Sequence, residues 1–154
     1  MITYYDITTY FEDLLLSIDD IKTVVNADAV YNEFAVEDYE TCLAYCIFEP
    51  ETANDSHVVF NVRIEIVDLV DVSNDNAGTP NNFKSNNNII DVYNTTLAIT
   101  RLIYTKIRHK TQGSNKFFIE QSQPLEKLYD ASQNVAGFAI TLSVQADDAI
   151  TSSC

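Results

Sequence analysis

A chain of 154 residues that is 46% hydrophobic and 21% charged has the length and apolar content of one globular domain rather than a disordered segment. Its 23 acidic residues against 9 basic ones leave a formal charge of −14, which argues against nucleic acid as a tight ligand because neutralising phosphates supplies that affinity. No apolar run approaches the roughly eighteen residues of a membrane span, and no leader pattern follows Met1, so the expectation is a single domain over 1–154 with no membrane segment and no secretion signal.

Residues 5–17, YDITTYFEDLLLS, place Ile7, Tyr10, Phe11, Leu14 and Leu15 at helical spacing and predict an amphipathic first helix. IKTVV, 21–25, is short and β-branched and predicts a strand. Residues 26–40 are acidic and carry no clear period. TCLAYCIFE, 41–49, is apolar on both alternate faces, with Cys42, Ala44, Cys46 and Phe48 on one and Leu43, Tyr45 and Ile47 on the other. It reads as a strand covered on both sides. HVVFNVRIEIV, 57–67, alternates cleanly, with Val58, Phe60, Val62, Ile64 and Ile66 inward, and EPETANDS, 49–56, supplies the turn that pairs the two strands antiparallel.

The stretch SNDNAGTPNNFKSNNN, 73–88, follows, with seven asparagines and one aromatic, Phe83. A loop of that length is uncommon in a compact domain unless it has a function or is disordered. Asparagine and glycine keep it loose and Phe83 offers one apolar anchor, a composition that suits ordering on a partner, with Asn81, Asn82, Phe83 and Lys84 as the contact residues. Asn88 then reads as a helix N-cap, with Asp91 three residues on. The long helix it starts carries the stripe Ile89, Tyr93, Leu97, Thr100, Ile103, Tyr104 and Ile107 and ends near Gly113. KFFIEQS predicts a short strand, LEKLYDASQN a turn-like or short helical connection, and GFAITLSVQ, 137–145, an alternating last strand before a polar tail at 146–154. The fold expected is α+β: an antiparallel sheet of four to five strands with an N-terminal helix and a long central helix on one face.

Charge is unevenly spread. Residues 1–75 carry seventeen acids against Lys22 and Arg63, whereas residues 76–154 carry six acids against seven bases. Five of the nine bases, Arg101, Lys106, Arg108, Lys110 and Lys116, fall within sixteen residues. The helical members, Arg101, Lys106, Arg108 and Lys110, form a candidate docking patch, although bases there also complement the helix dipole.

No catalytic pattern is present. The three glycines are scattered, so there is no phosphate-binding loop, and there is neither a GxSxG elbow nor a Cys-His pair at a family spacing. Cys42 and Cys46 would lie roughly 13 Å apart on a strand at ~3.3 Å per residue, too far for a disulfide. With two histidines in the chain, a structural zinc is not expected either, and DxSxDxA at 71–77 lacks the terminal glutamate of a calcium loop. No cofactor, metal or enzymatic activity is predicted.

The closing run NVAGFAITLSVQADDAITSSC, an Asn-x-x-Gly-aromatic start leading into an alternating strand and a short polar tail, resembles the carboxyl end of small tail-completion proteins of tailed bacteriophages. Together with the first helix, the strand pair, the loop and the long helix, the layout is similar to the tail-terminator group. The resemblance covers most of the chain in architecture and about twenty residues in detail, and residues 26–40 have no counterpart in it. It implies a non-enzymatic virion protein, assembled in the cytoplasm of a bacterial host, that forms a ring of typically six copies. Such a ring caps the tail tube, meets the head connector or another neck protein, and lets DNA pass through its lumen without tight binding. It implies in turn that the 73–88 loop reaches a neighbouring copy or the tube, and that acids of the first half approach the lumen. A head-completion or connector-stopper protein would share these features. A small acidic module that docks a basic partner is the alternative from another class, and an enzyme would need a pocket at carboxylates such as Glu65 and Asp68.

Overall fold

A computed structural model of the chain describes residues 4–26, 42–53, 57–71, 88–113, 117–119 and 124–147. Helix α1 (Tyr4–Leu16) buries Ile7, Phe11, Leu14 and Leu15 completely, so the helical spacing read in the sequence is the buried stripe. The helix closes on itself: Ser17 N–H donates to the Asp13 carbonyl at 3.1 Å and Ser17 Oγ to the Leu14 carbonyl at 2.6 Å. Ile18 and Ile21 then anchor the chain in the core before β1 (Thr23–Asn26).

β1 is parallel to β2 (Leu43–Ala53), whereas β2 with β3 (His57–Leu69) and β3 with β6 (Val135–Asp147) are antiparallel. The sheet order is β1-β2-β3-β6-β4, with β4 (Phe117–Ile119) and β5 (Leu125–Asp130) both pairing antiparallel with β6. The α+β arrangement with two helices on a mostly antiparallel sheet is as expected. One departure is β1, where the backbone amides of Lys22 and Thr23 donate to the Cys42 carbonyl and hold the chain alongside β2 in the same direction. Such a pairing needs a long connection. That connection is 27–41, which lies outside the described residues.

The central pair, β3 and β6, runs in one unbroken register from His57 opposite Asp147 to Leu69 opposite Val135. Both strands are longer than their sequence period suggested. Their even-numbered residues face the helices: Val62, Ile64, Ile66, Ile140, Leu142 and Val144 are all buried, together with Ala44, Cys46 and Phe48 of β2. Helix α2 (Ile89–Gly113) lies on that face and buries Val92, Thr96, Ile99, Thr100, Ile103 and Ile107. The stripe is rotated from the expected one: Val92, Thr96 and Ile99 go inward, while Leu97 sits at the margin. The two buried threonines are satisfied within the helix, Thr96 Oγ1 donating to the Val92 carbonyl and Thr100 Oγ1 to the Thr96 carbonyl, each at 2.7 Å.

The segment LEKLYD, expected to be turn-like or helical, is instead strand β5 followed by the turn 131–134. The open edge of β6 decides this, because it offers backbone partners that outweigh local preference. β4 and β5 occupy successive parts of that edge. Ile119 is opposite Val144 and Leu125 opposite Ile140, so five residues, 120–124, span what three residues span on β6. Pro124, which has no amide to donate, falls in that interruption. A register shift between Pro50 and Thr52 breaks β2 in the same manner beyond the reach of β1. Prolines and irregularities on both outer edges discourage strand addition by other chains.

The opposite face of the sheet is mixed. Leu43, Val67 and Val135 form a small buried cluster with Tyr45 and Leu128, and among the described residues both helices lie on the other side. The two-faced apolar character of 42–48 is thus divided between the main core and this second cluster.

Candidate functional site

Of the four bases of the expected docking patch, Arg101, Lys106 and Arg108 have described side chains, and these three are oriented differently. Arg101 and Arg108 are exposed on the outward side of α2, seven residues and therefore about two turns, or ~10 Å, apart. Leu102, 40% exposed, and Thr105 lie between them, with Thr105 Oγ1 donating to the Arg101 carbonyl at 2.9 Å. Lys106 is turned sideways and half-buried. Its Nζ donates to the Ser17 carbonyl at 3.3 Å and Ser17 Oγ at 3.4 Å, tying α2 to the end of α1. Lys110 belongs to α2, but its side chain lies outside the described residues. What the fold assembles is a pair of arginines beside an exposed leucine. Next to it, α1 and the turn after it expose Asp6, Glu12, Asp13, Asp19 and Asp20, so the helical layer is acidic on α1 and basic on the outer side of α2.

Asn81, Asn82, Phe83 and Lys84 lie outside the described residues; the root from which they spring does not. Asn88 occupies the N-cap position, its carbonyl accepting Val92 N–H at 2.9 Å. Its side chain, expected to cap α2, turns instead to the end of β3. Oδ1 accepts the Asp71 amide at 2.7 Å and Nδ2 donates to the Leu69 carbonyl at 3.4 Å. Beside it, the Val70 amide donates to the Asn134 carbonyl at 2.7 Å, and Asn134 takes a left-handed φ of 52°, which asparagine tolerates. Val70, Val92 and Ala136, with Ile89 and Tyr93 against them, form an apolar cluster under this junction.

Two further arrangements were not legible in the sequence. Arg63 on β3 reaches Glu65 Oε1 at 2.7 Å through Nε and Glu126 Oε2 at 2.8 Å through Nη1, linking β3 to β5 across β6. Partial burial lowers the Arg63 pKa, but the hydrogen bonds to Glu65 and Glu126 outweigh it and the net direction is up. On the helical side, Lys127 Nζ sits 4.0 Å from the centre of the Tyr93 ring, which meets Phe138 edge-on at 5.8 Å. This stack ties β5 to α2. Burial, with a smaller contribution from Tyr129, raises the Tyr93 phenol.

Chemically, Cys42 and Cys46 are held as thiols. Burial, helped by Asp68 and Asp20, pushes Cys42 up to about 12, and burial with Glu12 does the same to Cys46. A thiolate nucleophile is therefore not accessible at either position. Among the described residues no three His, Cys, Asp or Glu side chains group as metal ligands, and no helix is long and apolar enough to cross a membrane. No protein-family profile matches the chain, and no curated protein is similar to it at a significant level.

Proposed function

We propose that this chain is a structural virion protein of a tailed bacteriophage, a tail terminator that forms a ring on the tail tube and meets the head connector. The observation that carries the reading is the architecture: a mixed sheet with two helices on one face, with the Asn-rich stretch 73–88 falling in the sequence between the central strand β3 and the long helix α2. That layout resembles the tail-terminator group. In this reading Asn81, Asn82, Phe83 and Lys84 contact a neighbouring copy or the tube, and Arg101 and Arg108 pair with acidic surface on another chain. A ring of subunits each at −14 repels itself unless its few exposed bases are placed at contacts. The same charge keeps passing DNA off the wall, since like charge excludes it. The protein acts by binding and shape, with no cofactor.

Electron microscopy of purified particles tests this reading. A ring of this chain at the head-proximal end of the tube supports it, and absence of the chain from the particle refutes it. Within the ring, deleting 74–86 is expected to leave the fold intact, because shortening a closed loop changes stability little. The same deletion is expected to abolish incorporation, and normal incorporation would remove the role given to the loop.

A further inference from the structure

We infer that the flank of α2 bordering β5 docks the outer stripe of α1 from a second copy of this chain, in a head-to-tail contact. The contact rests on the reading above of Arg101 as a residue that meets acidic surface on another chain, and it names that surface.

Ile90, Tyr93, Leu97 and Arg101 recur at helical spacing and so lie along one side of α2. Lys127 Nζ, 4.0 Å from the centre of the Tyr93 ring, shows that this side borders β5. Lys106, which reaches Ser17 of α1, marks the other side. On β5, Leu125, Lys127 and Tyr129 pair with Ile140, Phe138 and Ala136 and therefore point to the face that carries α2. Ile90, Leu125 and Tyr129 are 62%, 49% and 54% exposed, so large apolar side chains gather in water along one border, the mark of an interaction surface. The charges of this border are basic, Arg101 and Lys127, in a chain of −14. Glu126 points to the opposite face of the sheet, where it holds Arg63, and the helical spacing puts Asp91 on the α1 side of α2.

The matching surface is α1. Opposite its buried Ile7, Phe11, Leu14 and Leu15 runs the stripe Tyr5, Thr9, Glu12 and Leu16, with Asp13 beside it. Tyr5 is 77% and Leu16 52% exposed, so the stripe is apolar at both ends and acidic between. Tyr5 to Leu16 and Ile90 to Arg101 are the same number of residues, about 16 Å of helix in each case. A chain this acidic meets its own kind where opposite charges face each other, and Glu12 and Asp13 against Arg101 and Lys127 supply that. One copy does not join its own two surfaces. Its α1 lies over β1 and β2 and is tied to the other side of α2 through Lys106, whereas the basic flank is at the β5 end of the sheet. Two different patches on each copy make the contact heterologous, and such a contact repeats into a ring or an open chain.

Charge exchange in the full chain tests this by sedimentation velocity, with circular dichroism confirming that each variant is folded. The parent is expected to self-associate. Arg101→Glu with Lys127→Glu makes the flank acidic, and Glu12→Lys with Asp13→Lys makes the stripe basic. Each double variant alone is expected to associate at least about tenfold more weakly. Mixed in equal amounts they are expected to associate again, because the acidic flank of one meets the basic stripe of the other while the remaining pair of surfaces is native. A mixture that stays as weak as its components overturns the contact, as do variants that associate like the parent. A parent that remains monomeric leaves the flank to a different partner and overturns it too. None of these outcomes depends on the particle. Rescue in the mixture with no ring on the tail rejects the proposed function alone, and a ring without rescue rejects this contact alone.

Discussion

Gly137 is the position where a single methyl group should do most damage. It lies in β6 between Val67 of β3 and Leu128 of β5, paired with both. A Cβ built there would stand 1.8 Å from the Ile66 carbonyl oxygen, 2.8 Å from its carbon and 2.9 Å from the Val67 Cα. All three are backbone atoms of the longest ladder in the sheet, so no side-chain rotation relieves the contact. Overpacking costs about 1–3 kcal/mol where side chains can give way, so Gly137→Ala is expected at the upper end, about 3 kcal/mol. For a chain of this length that corresponds to a fall of ~6–12 °C in Tm, read by circular dichroism and checked by urea unfolding. Ala139 is two residues along on the same face, 1% exposed, and accepts a Cβ. Ala139→Gly as a control is expected to cost only about 0.5–1 kcal/mol. A Gly137→Ala chain within about 0.5 kcal/mol of the parent, the range of an ordinary surface change, would refute the reasoning.

Ile103, fully buried at the centre of α2, is expected to lose about 2–5 kcal/mol on substitution by alanine in the same urea assay, through lost transfer energy and a residual cavity. The raised Cys46 thiol makes stability fall in alkali. The unfolded thiol ionises from about 9 and the folded one only near 12, so stability is intact below pH 9 and declines between those values. At pH 10 the loss from Cys46 is on the order of 1 kcal/mol, and Cys46→Ala should remove that part of the slope in urea titrations at pH 8 and pH 10; parallel slopes would contradict it. Reversing Arg101 and Arg108 to glutamate is expected to weaken self-association in sedimentation runs, most at low salt where exposed charges are least screened. Association unchanged at every ionic strength would return these arginines to a role in solubility and helix-dipole complement.

The sequence by itself determined the elements whose burial follows one period. Ile7, Phe11, Leu14 and Leu15 make α1 helical, and the alternations Phe60-Val62-Ile64-Ile66 and Ile140-Leu142-Val144 make β3 and β6 strands, because only those conformations place each set on one side. It also exposed the unusual length and composition of the stretch before α2. The tertiary structure decided what depends on neighbours remote in the chain. β5 is a strand because β6 has an edge to fill, and β1 lies parallel to β2 with the Lys22 and Thr23 amides donating to the Cys42 carbonyl. Lys106 leaves the expected patch because the end of α1 offers acceptors at Ser17, and the Asn88 side chain turns from its own helix to the Asp71 amide and the Leu69 carbonyl at the end of β3. The need for glycine at 137 appears only when β3 is laid against β6. Period is a local property of side chains, whereas hydrogen-bond partners and close approaches belong to pairs of segments, and those pairs exist only once the chain has folded.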